Sequence, residues 1–118
     1  MPMARYGRIM AASLREVRDK PGGNMKARKL DKEEIAERLK KLRGWSIKDG
    51  NLHHAFEFAD FSEAFGFMCR AALAAEAMGH HPDWSNVWNK VVVNLSTHSL
   101  KGLSQLDFEL AEKMQKLA

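Results

Sequence analysis

A chain of 118 residues, 45% hydrophobic and 29% charged, has the make-up of one ordinary globular domain. No apolar run approaches the roughly 20 residues that cross a bilayer, which excludes a membrane-spanning helix, and no membrane partner is expected. The net charge of +4 is uneven: residues 1–29 carry +6 and residues 30–118 carry −2, so the body lacks a basic face and no direct nucleic-acid contact is expected.

Residues 1–29 show no sustained periodicity, and Pro21, Gly22 and Gly23 form a breaker cluster. They read as a basic, flexible leader. Its Arg-rich, acid-poor character suits a transit-type signal, a cloning remnant or an alternative start at Met25 alike. The domain is assigned to residues 30–118. It opens with a helix in LDKEEIAERLKKLRGW. Asp31 and Glu34 have the spacing of a capping box, Leu30 and Ile35 that of a hydrophobic staple, and Gly44 suits the exit.

The segment WSIKDGNLHHAFEF alternates about Asp49-Gly50, the signature of a β-hairpin. A second helix follows in ADFSEAFGFMCRAALAAEAMGHH. Asp60 and Glu63 are its expected capping box, and Phe61, Phe65, Met68, Ala72 and Ala75 its expected buried stripe. Gly79 ends it and Pro82 prevents its continuation. The single cysteine, Cys69, cannot form an internal disulfide and is expected as a buried, unreactive thiol in a reducing compartment.

Two further strands span NVWNKVVVNLSTH around an expected Asn89-Lys90 turn. Val91, Val93, Leu95 and Thr97 then share one face, with Val92, Asn94, Ser96 and His98 on the other. The last helix has Ser104 as N-cap, Asp107 at the third position, and Leu103, Leu106, Leu110 and Leu117 on its buried side. The order α-β-β-α-β-β-α predicts an α+β fold, a four-stranded antiparallel sheet with helices packed on one face. Its open face and edge strands invite self-association.

The chemistry-bearing residues gather at two places, MGHHPDW (78–84) and STHS (96–99). His80, His81 and His98 can meet at one end of the sheet. Three histidines suffice for a catalytic zinc, yet adjacent histidines rarely face one ion and no HxxxH or HxH spacing occurs. Acid–base chemistry without metal is the alternative, since imidazole both gives and takes protons near neutrality. Glu76 lies one helical turn before His80 and is placed to orient it. Trp45 or Trp84 offers a flat wall for a ring-shaped substrate. Each residue also has a structural account: solvated loop histidines, a surface Glu76, a capping Asp107, core tryptophans. His53 and His54 are read as strand residues with no role.

Taken in order, EAMGHHPDW (76–84), Asn89-Lys90, LSTH (95–98) and Gly102-Leu103 with Asp107 resemble the pterin-4a-carbinolamine dehydratases. FSEAFGFM (61–68) resembles that family's central helix, and Trp45 its first hairpin. The likeness runs from about residue 30 to 117. It implies the same α+β fold, assembled as homodimers or homotetramers. It implies dehydration of 4a-hydroxytetrahydrobiopterin to quinonoid dihydrobiopterin and water, in pterin recycling for aromatic amino acid hydroxylases, with no metal or organic cofactor. The implied catalytic residues are His80, His81 and His98, supported by Glu76 and Asp107. Substrate contacts fall on Gly79, His80, His81, Pro82, Ser96, Thr97, His98, Ser99 and Trp45. Gly79 departs from the family, which often carries an acidic residue there, and Trp88 replaces a tyrosine. Some relatives also bind the dimerisation helices of a transcription factor, so a coactivator-type binding module is the alternative. A cytoplasmic location is expected, with nucleus or organelle also compatible.

Overall fold

The computed structural model describes residues 26–118. The leader therefore lies outside the described residues, except for 26–29. The elements are α1 (Lys32–Leu39), β1 (Ser46–Lys48), β2 (Asn51–Glu57), α2 (Phe61–Met78), β3 (Asp83–Val87), β4 (Lys90–Leu95), a 3-10 turn (His98–Leu100) and α3 (Gln105–Leu117). This is the expected α-β-β-α-β-β-α order. The strands form one antiparallel sheet in the order β1-β2-β4-β3.

Strand alternation sets the core. Leu52 and Phe56 on β2 and Val91, Val93 and Leu95 on β4 point to one face and are buried. That face packs against α2 and α3, which supply Ala64, Phe67, Ala71, Ala75, Phe108, Leu110, Ala111 and Met114. The opposite face is mixed: Ala55 and Val92 pair between Glu57 and Lys90 on one side and His53 and Asn94 on the other, with His53 bonded through Nδ1 to Asn94 Oδ1 at 2.9 Å. Among the described residues no helix is long and apolar enough to cross a membrane.

Several local expectations need correction. On α2 the buried stripe is Ala64, Phe67, Ala71 and Ala75, while Phe61 and Phe65 are each 52% exposed. The small residues face the sheet because they let the helix approach closely. Asp60 caps α2 through the Glu63 N–H at 2.8 Å, but Glu63 returns to the Ala59 N–H at 3.3 Å, so the box is not closed. Cys69 is exposed. Val87 pairs with Lys90, so the second hairpin turns on Trp88-Asn89, with Trp88 at φ 52. On α3, Phe108, Ala111 and Met114 join Leu110, while Leu106 and Leu117 are only half-buried.

The α1 capping box is present as expected. Residues 26–30 are tied down beside it. Leu30 N donates to Leu103 O at 2.9 Å, Arg28 N to Gln105 Oε1 at 2.8 Å, and Gln105 Nε2 to Lys26 O at 2.8 Å. Arg28 also grips Glu34 at 2.7 Å. The hydrogen bond from Arg28, helped by the Asp31 N–H, holds the Glu34 carboxyl down at about 2. A depressed folded value means this stabilisation is complete above the ordinary value and is lost as pH falls through it toward 2. The pair is exposed, so the effect is small. Urea midpoints of the native chain and Glu34→Gln should differ near pH 6 and converge as pH approaches 2; a constant gap would remove the ion pair from the account.

Gly44 closes the link from α1 to β1 at φ 88, and a Cβ there would lie 2.8 Å from His54 Cε1. Gly44→Ala should therefore cost about 1–3 kcal/mol in urea unfolding, since strain and clash add. An unchanged midpoint would mean the His54 ring moves freely aside.

Candidate active site

The site grows from the end of α2. Gly79 adopts a left-handed cap, φ 64, and His80 N donates back to Ala75 O at 3.1 Å. This reversal separates the two adjacent histidines. His80 turns inward and is 8% exposed, whereas the His81 side chain remains 65% exposed.

His80 Nε2 meets Asp107 Oδ1 at 2.6 Å, and Asp107 is completely buried in the first turn of α3. The other oxygen, Oδ2, accepts from the Ser104 N–H at 2.9 Å and from the Thr97 hydroxyl at 2.8 Å. Thr97 Oγ1 lies 2.7 Å from Ser104 Oγ, which itself accepts from the Leu106 N–H at 3.2 Å. Donor directions then form a consistent chain: Leu106 N–H to Ser104, Ser104 O–H to Thr97, Thr97 O–H to Asp107. The remaining carboxylate oxygen accepts from His80. That assignment puts a proton on Nε2, so that in the neutral ring Nδ1 carries the lone pair.

Glu76 has a different partner from the one its spacing suggested. The i,i+4 relation to His80 requires a continuous helix, and the Gly79 reversal breaks it. Glu76 Oε1 instead meets His81 Nε2 at 2.8 Å, in an exposed pair. The carboxylate that orients His80 comes from 27 residues away.

His98 begins the 3-10 turn after β4 and lines an open cleft of about 290 Å³. Ser96 and Thr97 share that wall. Asp49, Gly50 and Asn51 from the first hairpin, with Lys101 and Gly102, form the rest. The register explains the meeting: Leu52 pairs with Leu95, so the hairpin tip lies beside the end of β4. Thr97 joins the two parts, since it lines the cleft and holds Asp107 behind it. Asp49, Asn51 and Lys101 had no place in the sequence-based site; the hairpin signal marked Asp49 as a turn residue only.

Trp45 is placed elsewhere. It is buried, donates from Nε1 to Gln115 Oε1 at 2.9 Å, and packs on His54 and Phe56. Gln115 is eight residues along α3 from Asp107, about 12 Å of helix rise. The structure does not bring Trp45 into the His80 network. Gly79, His80, His81, Pro82 and Ser99 are likewise not among the residues that line the cleft, and His80 is joined to it through Asp107 and Thr97. His54, between Trp45 and Phe56, has its basicity lowered by burial first, then by the neighbouring His53, against a hydrogen bond with the Gly44 backbone. Among the described residues no group of three or more His, Cys, Asp or Glu is arranged to hold a metal ion.

The site thus holds two imidazoles, one fixed by a buried carboxylate that Thr97 links to the cleft wall and one exposed on the cleft itself, and imidazole is a group that can both take and deliver a proton. Residues 28–117 match the family model described as pterin 4 alpha carbinolamine dehydratase. The chain is 53% identical over 96 residues to a protein of Sinorhizobium fredii provisionally named pterin-4-alpha-carbinolamine dehydratase, covering 80% of this chain and 91% of that one. A protein of the same provisional name from Solibacter usitatus is 48% identical over 90 residues, covering 76% and 95%. A crystal structure of a transcriptional coactivator/pterin dehydratase from Brucella melitensis has a TM-score of 0.75 at 45% identity, covering 77% of this chain and 99% of that one.

Proposed function

The chain belongs to the pterin-4a-carbinolamine dehydratase family, and from that premise we propose that residues 30–118 dehydrate 4a-hydroxytetrahydrobiopterin by histidine acid–base catalysis without a metal or organic cofactor. The products are quinonoid dihydrobiopterin and water, returning a pterin to aromatic amino acid hydroxylases. The reaction breaks the C4a–O bond and the N5–H bond and forms C4a=N5. One proton must reach the departing hydroxyl and another must leave N5.

The observation that carries this reading is the 2.6 Å contact between buried His80 and Asp107, linked through Thr97 to the wall that holds His98. His80 offers its Nδ1 lone pair to the N5 proton. His98, exposed on the cleft, delivers a proton to the hydroxyl. His81, held by Glu76, fixes that hydroxyl. The protein acts in the cytoplasm as a homodimer or homotetramer.

Dehydration of freshly generated 4a-hydroxytetrahydropterin, followed by ultraviolet absorbance, tests this. Acceleration should survive EDTA and collapse in His80→Ala. Folded protein that gives no acceleration over the spontaneous reaction would end the proposal. A second reading, a coactivator-type module for a transcription factor, is favoured by the exposed Phe61, Phe65 and Leu73 on α2. A helical partner captured by the native chain but not by Phe65→Glu would support it, and both roles can coexist.

A further inference from the structure

Among the described residues three that are not glycine take positive φ: Asp49 at 52, Trp88 at 52 and Lys101 at 51. Two of them, Asp49 and Lys101, stand on the His98 cleft. Aspartate tolerates this conformation in a hairpin turn, but lysine gains nothing from it. Lys101 occupies the left-handed cap after the 3-10 turn, donating to His98 O at 3.1 Å, a place where glycine is usual. Glycine is present one residue later, at Gly102. A lysine at such a position, on a cleft, points to a use for its side chain.

We propose that Lys101, with Asp49 and Asn51, reads the substituent at C6 of the pterin and selects a hydroxylated side chain. This rests on the dehydratase reading. C6 is two covalent bonds from C4a, through N5, so a substrate reacting beside His98 projects its C6 substituent onto the same cleft. The lining supplies both halves of a hydroxyl's hydrogen bonding. The Lys101 ammonium donates, the Asp49 carboxylate accepts, and the Asn51 amide does either. Among the described residues neither Lys101 nor Asp49 is engaged in an ion pair. Vicinal hydroxyls satisfy this set. A phosphorylated side chain meets attraction from Lys101 and repulsion from Asp49. A methyl group leaves all three polar groups unmatched.

The test compares two freshly generated substrates, the 4a-hydroxy derivatives of 6-(1,2-dihydroxypropyl)tetrahydropterin and 6-methyltetrahydropterin. The native chain should favour the diol about tenfold in kcat/KM, the worth of one hydrogen bond to a charged group. Lys101→Met should bring that ratio near one, through KM. Lys101→Gly should do the same while raising Tm, because it relieves the backbone. A purely structural lysine would give the reverse: a lower Tm and an equal loss on both substrates. A native ratio near one, or a ratio unmoved in both variants while both substrates are turned over, would overturn the inference and leave the dehydratase reading intact. Failure to accelerate either substrate would sink the dehydratase reading, and this inference with it.

Discussion

Asp107→Asn should fold to the native structure and lose about four orders of magnitude in kcat, as does an asparagine that forces a catalytic histidine into the wrong tautomer. The Ser104 N–H, 2.9 Å from Oδ2, can only donate, so the amide oxygen of the variant must occupy that position. Its NH2 group then faces His80 Nε2. The ring must accept there and carry its proton on Nδ1, which removes the lone pair offered to the substrate. Thr97 still finds an oxygen to donate to, but one of the two amide N–H groups has no acceptor beside His80, so the variant should lose about 1–3 kcal/mol and still fold. Asp107→Ala is the contrasting case. It strands the Ser104 N–H and the His80 and Thr97 donors in a buried site and should cost about 3 kcal/mol or more. Nitrogen chemical shifts of the His80 ring, a thermal melt and kcat together decide the matter. Near-native kcat in the asparagine variant, or a loss explained by unfolding, would remove Asp107 from its positioning role.

Much of the fold was legible because each local signal named a backbone geometry. Asp49-Gly50, Gly79 and the Asp31–Glu34 box do so independently of tertiary contacts, and all appear as read. The failures share a physical reason. The stripe through Phe61 and Phe65 and the stripe through Ala64 and Ala71 both have helical spacing, so periodicity cannot choose between them. Side-chain size favoured the phenylalanines, but the approach to the sheet selects the alanines. Asn89-Lys90 was a reasonable turn by composition, and the pairing of Val87 with Lys90 moves it back by one residue.

The candidate site was legible as residue types and not as partners. Sequence brought His80, His81 and Glu76 together because they are neighbours in the chain. It could not show that Gly79 sends one imidazole inward and the other outward. Asp107 was marked as a cap for Ser104, and it is one, through Oδ2. Its second oxygen faces His80 only because α3 returns beside the end of α2. Lys101 left no signal, because nothing in its neighbours announces a left-handed lysine.

The two histidines proposed to transfer protons differ in access, and that difference should be measurable. His98→Ala should lose about 100- to 1,000-fold in kcat, the usual worth of one acid–base group. The His98 site is exposed, and it opens on a cleft of about 290 Å³. Free imidazole can therefore enter, and tens of millimolar should restore a measurable part of the rate, saturably. His80→Ala should fall at least as far, because it also strands buried Asp107. Its vacated space is only 8% exposed in the native chain and lies against Asp107 in the first turn of α3. Rescue there should be far weaker at the same imidazole concentration. The readout is kcat against added imidazole for both variants, with a thermal melt to confirm that each is folded. Equal rescue of the two would mean that His80 is not enclosed during turnover. No rescue of His98→Ala, in a folded variant that has lost its rate, would mean that His98 holds the substrate in place and does not transfer the proton.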